Sequence, residues 1–266
     1  MSIANGTQTS ETRPRPRADR KALRLSALLL VASIIAYVVA TPFHPSGIDP
    51  NNHPAVFAQY AHSTGWTADH LGWFVEGAVL IAGVLVLFYA LNLPDGMTRL
   101  AARIGIVSAG VGLALTAMRE AVDGVVLKRA VDAWVSAPDA EKAARFASAE
   151  LARWLEEATT SYQYFVLGFT LFLLAALIIW TARVPRPIGY LLALGAVGYL
   201  AAGWILGIAG FAPEGAIPTY VSQFFPMIAG VWLLISAWRM PESAGTAPRS
   251  GSPARQNDAG AAARSV

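Results

Sequence analysis

Six apolar runs, each roughly twenty residues long, decide what this chain can become. They lie over about 22–42, 71–93, 101–127, 162–182, 188–211 and 219–239. Twenty helical residues rise ~30 Å, the thickness of a bilayer's hydrocarbon core. Backbone polar groups in that layer must be satisfied within the segment, which selects helices. The chain is 55% hydrophobic and only 14% charged, against roughly 25% charged for soluble domains. The expected fold is an all-α polytopic helical bundle of six transmembrane helices, occupying residues 21–240. Residues 1–20 are rich in Pro and Arg, and 241–266 in Ser, Gly, Pro and Ala, so both are expected to be disordered tails. Arg20, Lys21 and Arg24 before the first run, and Val38-Val39-Ala40 after it, also fit a secretory signal. The long charged region favours an uncleaved anchor.

Residues 137–160 break the pattern. Ser136, Ala137, Pro138 and Asp139 resemble a capping box. Beyond them Ala140, Ala143, Ala144, Ala147, Leu151, Trp154, Leu155 and Ala158 share one helical face. Glu141/Arg145 and Arg153/Glu157 are spaced to pair on the other. This predicts an amphipathic helix whose apolar face lies on the bundle or at the membrane interface.

The basic residues give a direction. Six Lys or Arg precede the first span, two lie at 99–103, two at 183–186 and four from Arg239 on, fourteen in all. The alternate connections hold five, all within 128–161, where six acidic residues accompany them. The positive-inside rule then places both termini in the cytoplasm of a plasma-membrane protein, with helix 137–160 extracytoplasmic. The same rule accounts for the formal charge of +3, so the bilayer is the expected partner and nucleic acid is not.

Within the spans a few charges stand out. Arg119, Glu120 and Asp123 lie late in the third, and Glu76 lies early in the second. A charge at mid-span costs roughly 2.5–3.5 kcal/mol on insertion scales, so such residues turn inward and often mark a site. At ~100° per residue, Gly105, Ser108, Gly112, Thr116, Arg119 and Asp123 fall on one face, while Val107, Val111, Leu113, Ala114, Met118 and Val122 point elsewhere. Antiparallel spans bring Glu76 to the depth of Arg119, and the two are expected to pair. The cluster Glu76, Arg119, Glu120 and Asp123 reads as a structural ion-pair network or an outward-facing ligand site.

There is no cysteine, which excludes disulfides, thiol nucleophiles and cysteine-held metals. All four histidines, His44, His53, His62 and His70, fall in 41–70. Their spacing matches no metal motif. No cofactor is expected, and the remaining metal alternative is zinc or copper on His62 or His70 with Glu120 or Asp123. Trp66 and Trp73 at one edge, and Trp180 and Trp238 at the other, suggest interfacial belts. Thr67 reads as a helix N-cap, Pro94-Asp95-Gly96 as a turn and Pro226 as a kink. Gly203 and Gly207 form a GxxxG face for close packing, within the chain or in a homo-oligomer.

The segments Phe43-His44-Pro45, Ala55-Val-Phe-Ala-Gln-Tyr-Ala61 and Met118-Arg-Glu-Ala-Val-Asp123 resemble uncharacterised bacterial, actinobacterial-like, multi-pass membrane proteins. That resemblance implies no activity. The function expected from the residues is binding of a small ligand, ion or partner through an outward-facing polar pocket, more in keeping with a non-enzyme. The alternatives are a metal-dependent enzyme at the outer leaflet and a small transporter or assembly subunit.

Overall fold

The computed structural model describes residues 18–93 and 96–240, so the expected tails fall outside the described residues except for 18–20, as do Pro94 and Asp95 of the expected turn. Among the described residues the fold is all-α. Asp19 and Arg20 open the first helix rather than close a tail. The Asp19 carboxylate accepts from the Lys21 and Ala22 amides at 2.9 and 3.1 Å, capping α1 (Arg20–Ala40). A short helix, α2 (His53–Ala61), carries Pro54 in its first turn and is capped by Asn52. The second long helix, α3, covers Trp66–Ala90.

Met97–Val135 is one rod made of α4 (Met97–Ala121), a π-helical segment (Val122–Leu127) and α5 (Lys128–Val135). The next helix, α6 (Asp139–Thr181), is continuous over 43 residues. The expected amphipathic helix and the fourth span are therefore a single element. Its start differs from the expected capping box, because Ser136 donates back to the Asp132 carbonyl at 2.8 Å and Pro138 holds the cap position. Ala182, at φ +50°, ends α6, and α7 (Arg186–Ala209) and α8 (Ala216–Arg239) follow. No break interrupts α8 at Pro226, whose ring seats against Gly195, a position with no room for a Cβ.

Among the described residues, six helices are long and apolar enough to cross a membrane. Their outward faces carry Leu28, Val38, Val107, Val197 and Trp204 exposed, a pattern that water would penalise and lipid does not. The chain is a multi-pass membrane protein. Each spanning helix packs on two others, α1 on α3, α3 on α4, α4 on α6, α6 on α7, α7 on α8 and α8 on α1, closing a ring.

Two apolar cores plug the ring's ends. Leu23, Leu87, Leu91, Leu174, Ile178 and Leu233 belong to the core nearest the chain ends. There Arg24 donates to the Ala237 carbonyl at 3.3 Å and stacks on Trp238. At the opposite end, the head, α2 and α5 pack with the first turns of α3 and α6 around Phe57, Trp66, Leu127 and Val131.

The expected face of α4 is found. Gly105, Gly112 and Thr116 are buried, while Val107, Val111 and Met118 are exposed. Val122 is the exception, being buried. Across this seam Gln163 donates to the Thr116 hydroxyl at 2.7 Å and Thr170 to that of Ser108 at 2.8 Å. Gly203 and Gly207 pack against Ser161 of α6, so their GxxxG face is occupied within the chain.

The candidate binding cavity

Between the two cores the ring encloses a cavity of about 510 Å³, within the range of small-molecule sites. Glu76 and Trp73 reach it from α3, Arg119 and Glu120 from α4, Asp123 from the π segment, and Arg153 and Glu156 from α6. All four charged residues singled out in the sequence thus share one wall.

Their pairing is not the expected one. Arg119 pairs with its neighbour Glu120. Glu76, on the same cavity, makes no hydrogen bond or ion pair among the described residues. Asp123 faces His70 instead, with His70 Nε2 2.9 Å from its Oδ2, while His70 Nδ1 lies 2.8 Å from the Trp66 carbonyl. Both neighbours of the ring are acceptors, which suits an imidazolium beside a carboxylate.

The π segment explains how Asp123 gets there. Widening the helix frees backbone carbonyls, and side chains of α3 take them up. The Trp66 indole N–H donates to the Asp123 carbonyl at 2.8 Å, and the Thr67 hydroxyl to that of Gly124 at 2.8 Å. Thr67 is therefore a bracket between helices, and Gly65 holds the cap position of α3. Gly124 permits the approach, since a Cβ there would lie 2.6 Å from the His70 Cβ.

Arg153 and Glu156 were missed as site residues. Both are nearly fully buried, and Arg153 lies 2.6 Å from Glu156 and 3.5 Å from Glu157. Of the two placements expected for the apolar face of this part of α6, on the bundle or at the membrane interface, the first is not the one found. Ala140, Ala143, Ala144, Ala147, Leu151, Trp154, Leu155 and Ala158 all point outward, Glu141 and Arg145 are also exposed, and Phe146, Ala149, Ala152, Arg153 and Glu156 turn inward. The signal was the i, i+3, i+7, i+10 series Arg153, Glu156, Thr160 and Gln163, which continues into the spanning half. In a membrane protein with a polar interior such a stripe faces inward.

Aromatic rings close the head end. His44 stacks on Trp73 with centroids 4.9 Å apart and lies 5.1 Å from Trp66 and 5.7 Å from His70. Burial holds its pKa down to about 4, with the nearby His70 and Arg153 acting the same way and Asp123 opposing. The same burial pushes the Tyr60 hydroxyl above its usual range. Trp66 and Trp73 are thus wall and core residues rather than an interfacial belt, whereas Trp180 and Trp238 are exposed.

His62 is exposed at the end of α2 and His70 is buried against Asp123. Among the described residues no three His, Asp or Glu side chains come together to hold a metal ion.

A family described as a domain of unknown function, DUF4386, matches residues 25–237, and the chain belongs to that family. No curated protein and no solved structure matches it.

Proposed function

We propose that this DUF4386 protein is a non-enzymatic binding protein of the plasma membrane, with both termini cytoplasmic and its cavity opening toward the outside. The observation that carries the reading is the cavity itself. It gathers Glu76, Arg119, Glu120 and Asp123 on one wall, at the end of the ring remote from the chain termini. The fourteen-to-five partition of Lys and Arg in the sequence supports that end facing out. Charges held in a partly enclosed, low-dielectric space are costly unless they do something, and ligand recognition is the use that requires a cavity beside them.

The absence of cysteine makes the test clean. Ser46 is exposed on the loop that lines the cavity at its head end. A single Ser46→Cys variant should react with a membrane-impermeant thiol reagent in intact cells, and Ser243→Cys in the C-terminal tail only after lysis. The reverse pattern removes the orientation. The binding half predicts that protein extracted in mild detergent retains a small molecule visible by native mass spectrometry, and that Glu120→Gln loses it. Retention unaffected by cavity variants would place the molecule elsewhere.

A further inference from the structure

We propose that the cavity takes an amphiphile with a protonated amine head and a single alkyl or acyl tail, drawn from the surrounding bilayer. This rests on the binding reading above and adds what the site recognises.

The head follows from charge and hydrogen-bond arithmetic. Four carboxylates on the wall, Glu76, Glu120, Asp123 and Glu156, face two guanidiniums, Arg119 and Arg153. Arg119 is taken by Glu120, Arg153 by Glu156 and Glu157, and His70 by Asp123. Glu76 is left over, so the wall favours one more positive charge. An anion would meet that surplus, and the buried donors on the wall without a hydrogen-bond partner, Arg153 Nε and Trp73 Nε1, are fewer than the unpartnered acceptors.

Three buried oxygens on the wall, Glu120 Oε2, Asp123 Oδ1 and Gln163 Oε1, have no hydrogen-bond donor within the described protein. All belong to residues about 5% exposed. A carboxylate or an amide oxygen can only accept, and an ammonium group brings three donors and no acceptor. Tyr60 adds an aromatic ring to the same wall, and such rings attract a desolvated cation, whereas Trp73 is already stacked on His44 and faces Arg119.

The tail follows from what lies below. Past Glu76 and Gln163 the lining turns apolar, with Leu80, Val84 and Leu87 on α3 and Leu167, Leu171 and Leu174 on α6. Glu76 to Leu87 is a descent of roughly 16 Å at 1.5 Å per residue, the reach of a medium alkyl chain. A soluble diamine or amino acid would leave this section unfilled.

Access from the bilayer is also built in. Ile34 and Met227 line both the cavity and an apolar groove on the outer surface of α1 and α8. One layer of side chains separates the two spaces. The helices are tied there by the Tyr37 hydroxyl donating to Gln223 Oε1 at 2.9 Å.

The experiment uses the full chain in phosphatidylcholine nanodiscs, with thermal unfolding and native mass spectrometry as readouts. The probes are dodecylamine, dodecanol, dodecanoate and butylamine. Dodecylamine should give a saturable rise in Tm and a one-to-one adduct, and the other three should not. Glu76→Gln, which breaks no existing pair, should weaken dodecylamine by about tenfold, the scale of one charge-assisted hydrogen bond. Val84→Trp, which fills the tail section, should abolish the adduct. Equal binding of dodecanoate or dodecanol overturns the amine head, and equal binding of butylamine overturns the tail, while cavity-dependent binding of either leaves the broader reading intact. Dodecylamine binding indifferent to Glu76→Gln and Val84→Trp overturns the proposal as bilayer partitioning. No binding by any probe overturns it too, and a chain that also retains no molecule on extraction takes the broader reading down with it.

Discussion

His44 is half-buried with its ring stacked on Trp73, so its neutral form is the one the fold favours. With a folded pKa of about 4 against the 6.5 of a free imidazole side chain, the unfolded chain takes up the proton first as pH falls. Stability from this residue is therefore complete above about pH 6.5 and declines through pH 4, at up to about 1.4 kcal/mol per pH unit. Thermal unfolding between pH 7 and 4 should show a steeper acid loss for the natural chain than for His44→Phe, and parallel curves would show that the ring is not held neutral. Arg153 poses the opposite situation, a cation buried with its partners. Arg153→Met should cost about 3–5 kcal/mol because it strands Glu156, while adding Glu156→Leu should recover most of that loss. Denaturant titrations of the two variants check this. At this scale the sequence was legible where charge interrupts a plainly apolar run, as at Glu76, Arg119, Glu120 and Asp123. It was not legible at Arg153 and Glu156, because they sit among other charges in a stretch that looks like an ordinary water-exposed helix. Nor could it show that Arg119 turns to its sequence neighbour, since side-chain pairing depends on rotamers rather than helical position alone.

The π segment is the element on which the site turns. One extra residue in the turn swings Asp123 toward His70, and Trp66 and Thr67 bind the carbonyls the distortion releases. The contact needs a glycine at 124, where a Cβ would press on the His70 Cβ. Gly124→Ala should force α3 and the π segment apart and cost roughly 1–3 kcal/mol, the usual range for overpacking. It should also change the near-ultraviolet signal of the Trp66 indole, and an unchanged Tm and spectrum would show that the approach is loose. Periodicity found the small, polar face of α4 because one face of that helix meets lipid and the other meets protein. It left the first half of α6 with two placements for a related reason. An apolar stripe can pack on a bundle or lie at the membrane interface, and periodicity does not choose between them; here Leu151, Trp154 and Leu155 face outward, and Arg153 and Glu156 line the cavity.

At the scale of the molecule the ring is a tube with a plug at each end, and the cavity is what the plugs leave between them. The plugs differ in origin. Leu174, Ile178 and Leu233 seal the tube from within the spanning helices, while Phe57, Trp134, Phe146 and Trp66 form a separate aromatic cluster in the head. Contacts between Phe57, Trp134 and Phe146 join α2, α5 and α6, and His53 adds a 3.2 Å contact with Glu150. Cores that share few residues open separately, each with its own free energy. Phe57→Ala should cost the head about 3–5 kcal/mol, the range for deleting a buried aromatic side chain. The loss should be local. Hydrogen exchange should speed up in α2, in α5 and in α6 above Thr160, while the amides of α7 and α8 keep their protection. The cavity walls that depend on the head, Tyr60 and Arg153 among them, should loosen with it, so ligand binding should fall while the ring persists in detergent. Uniform acceleration across all the helices would mean that the two cores fold as one unit, and that the head is no independent lid over the charged wall.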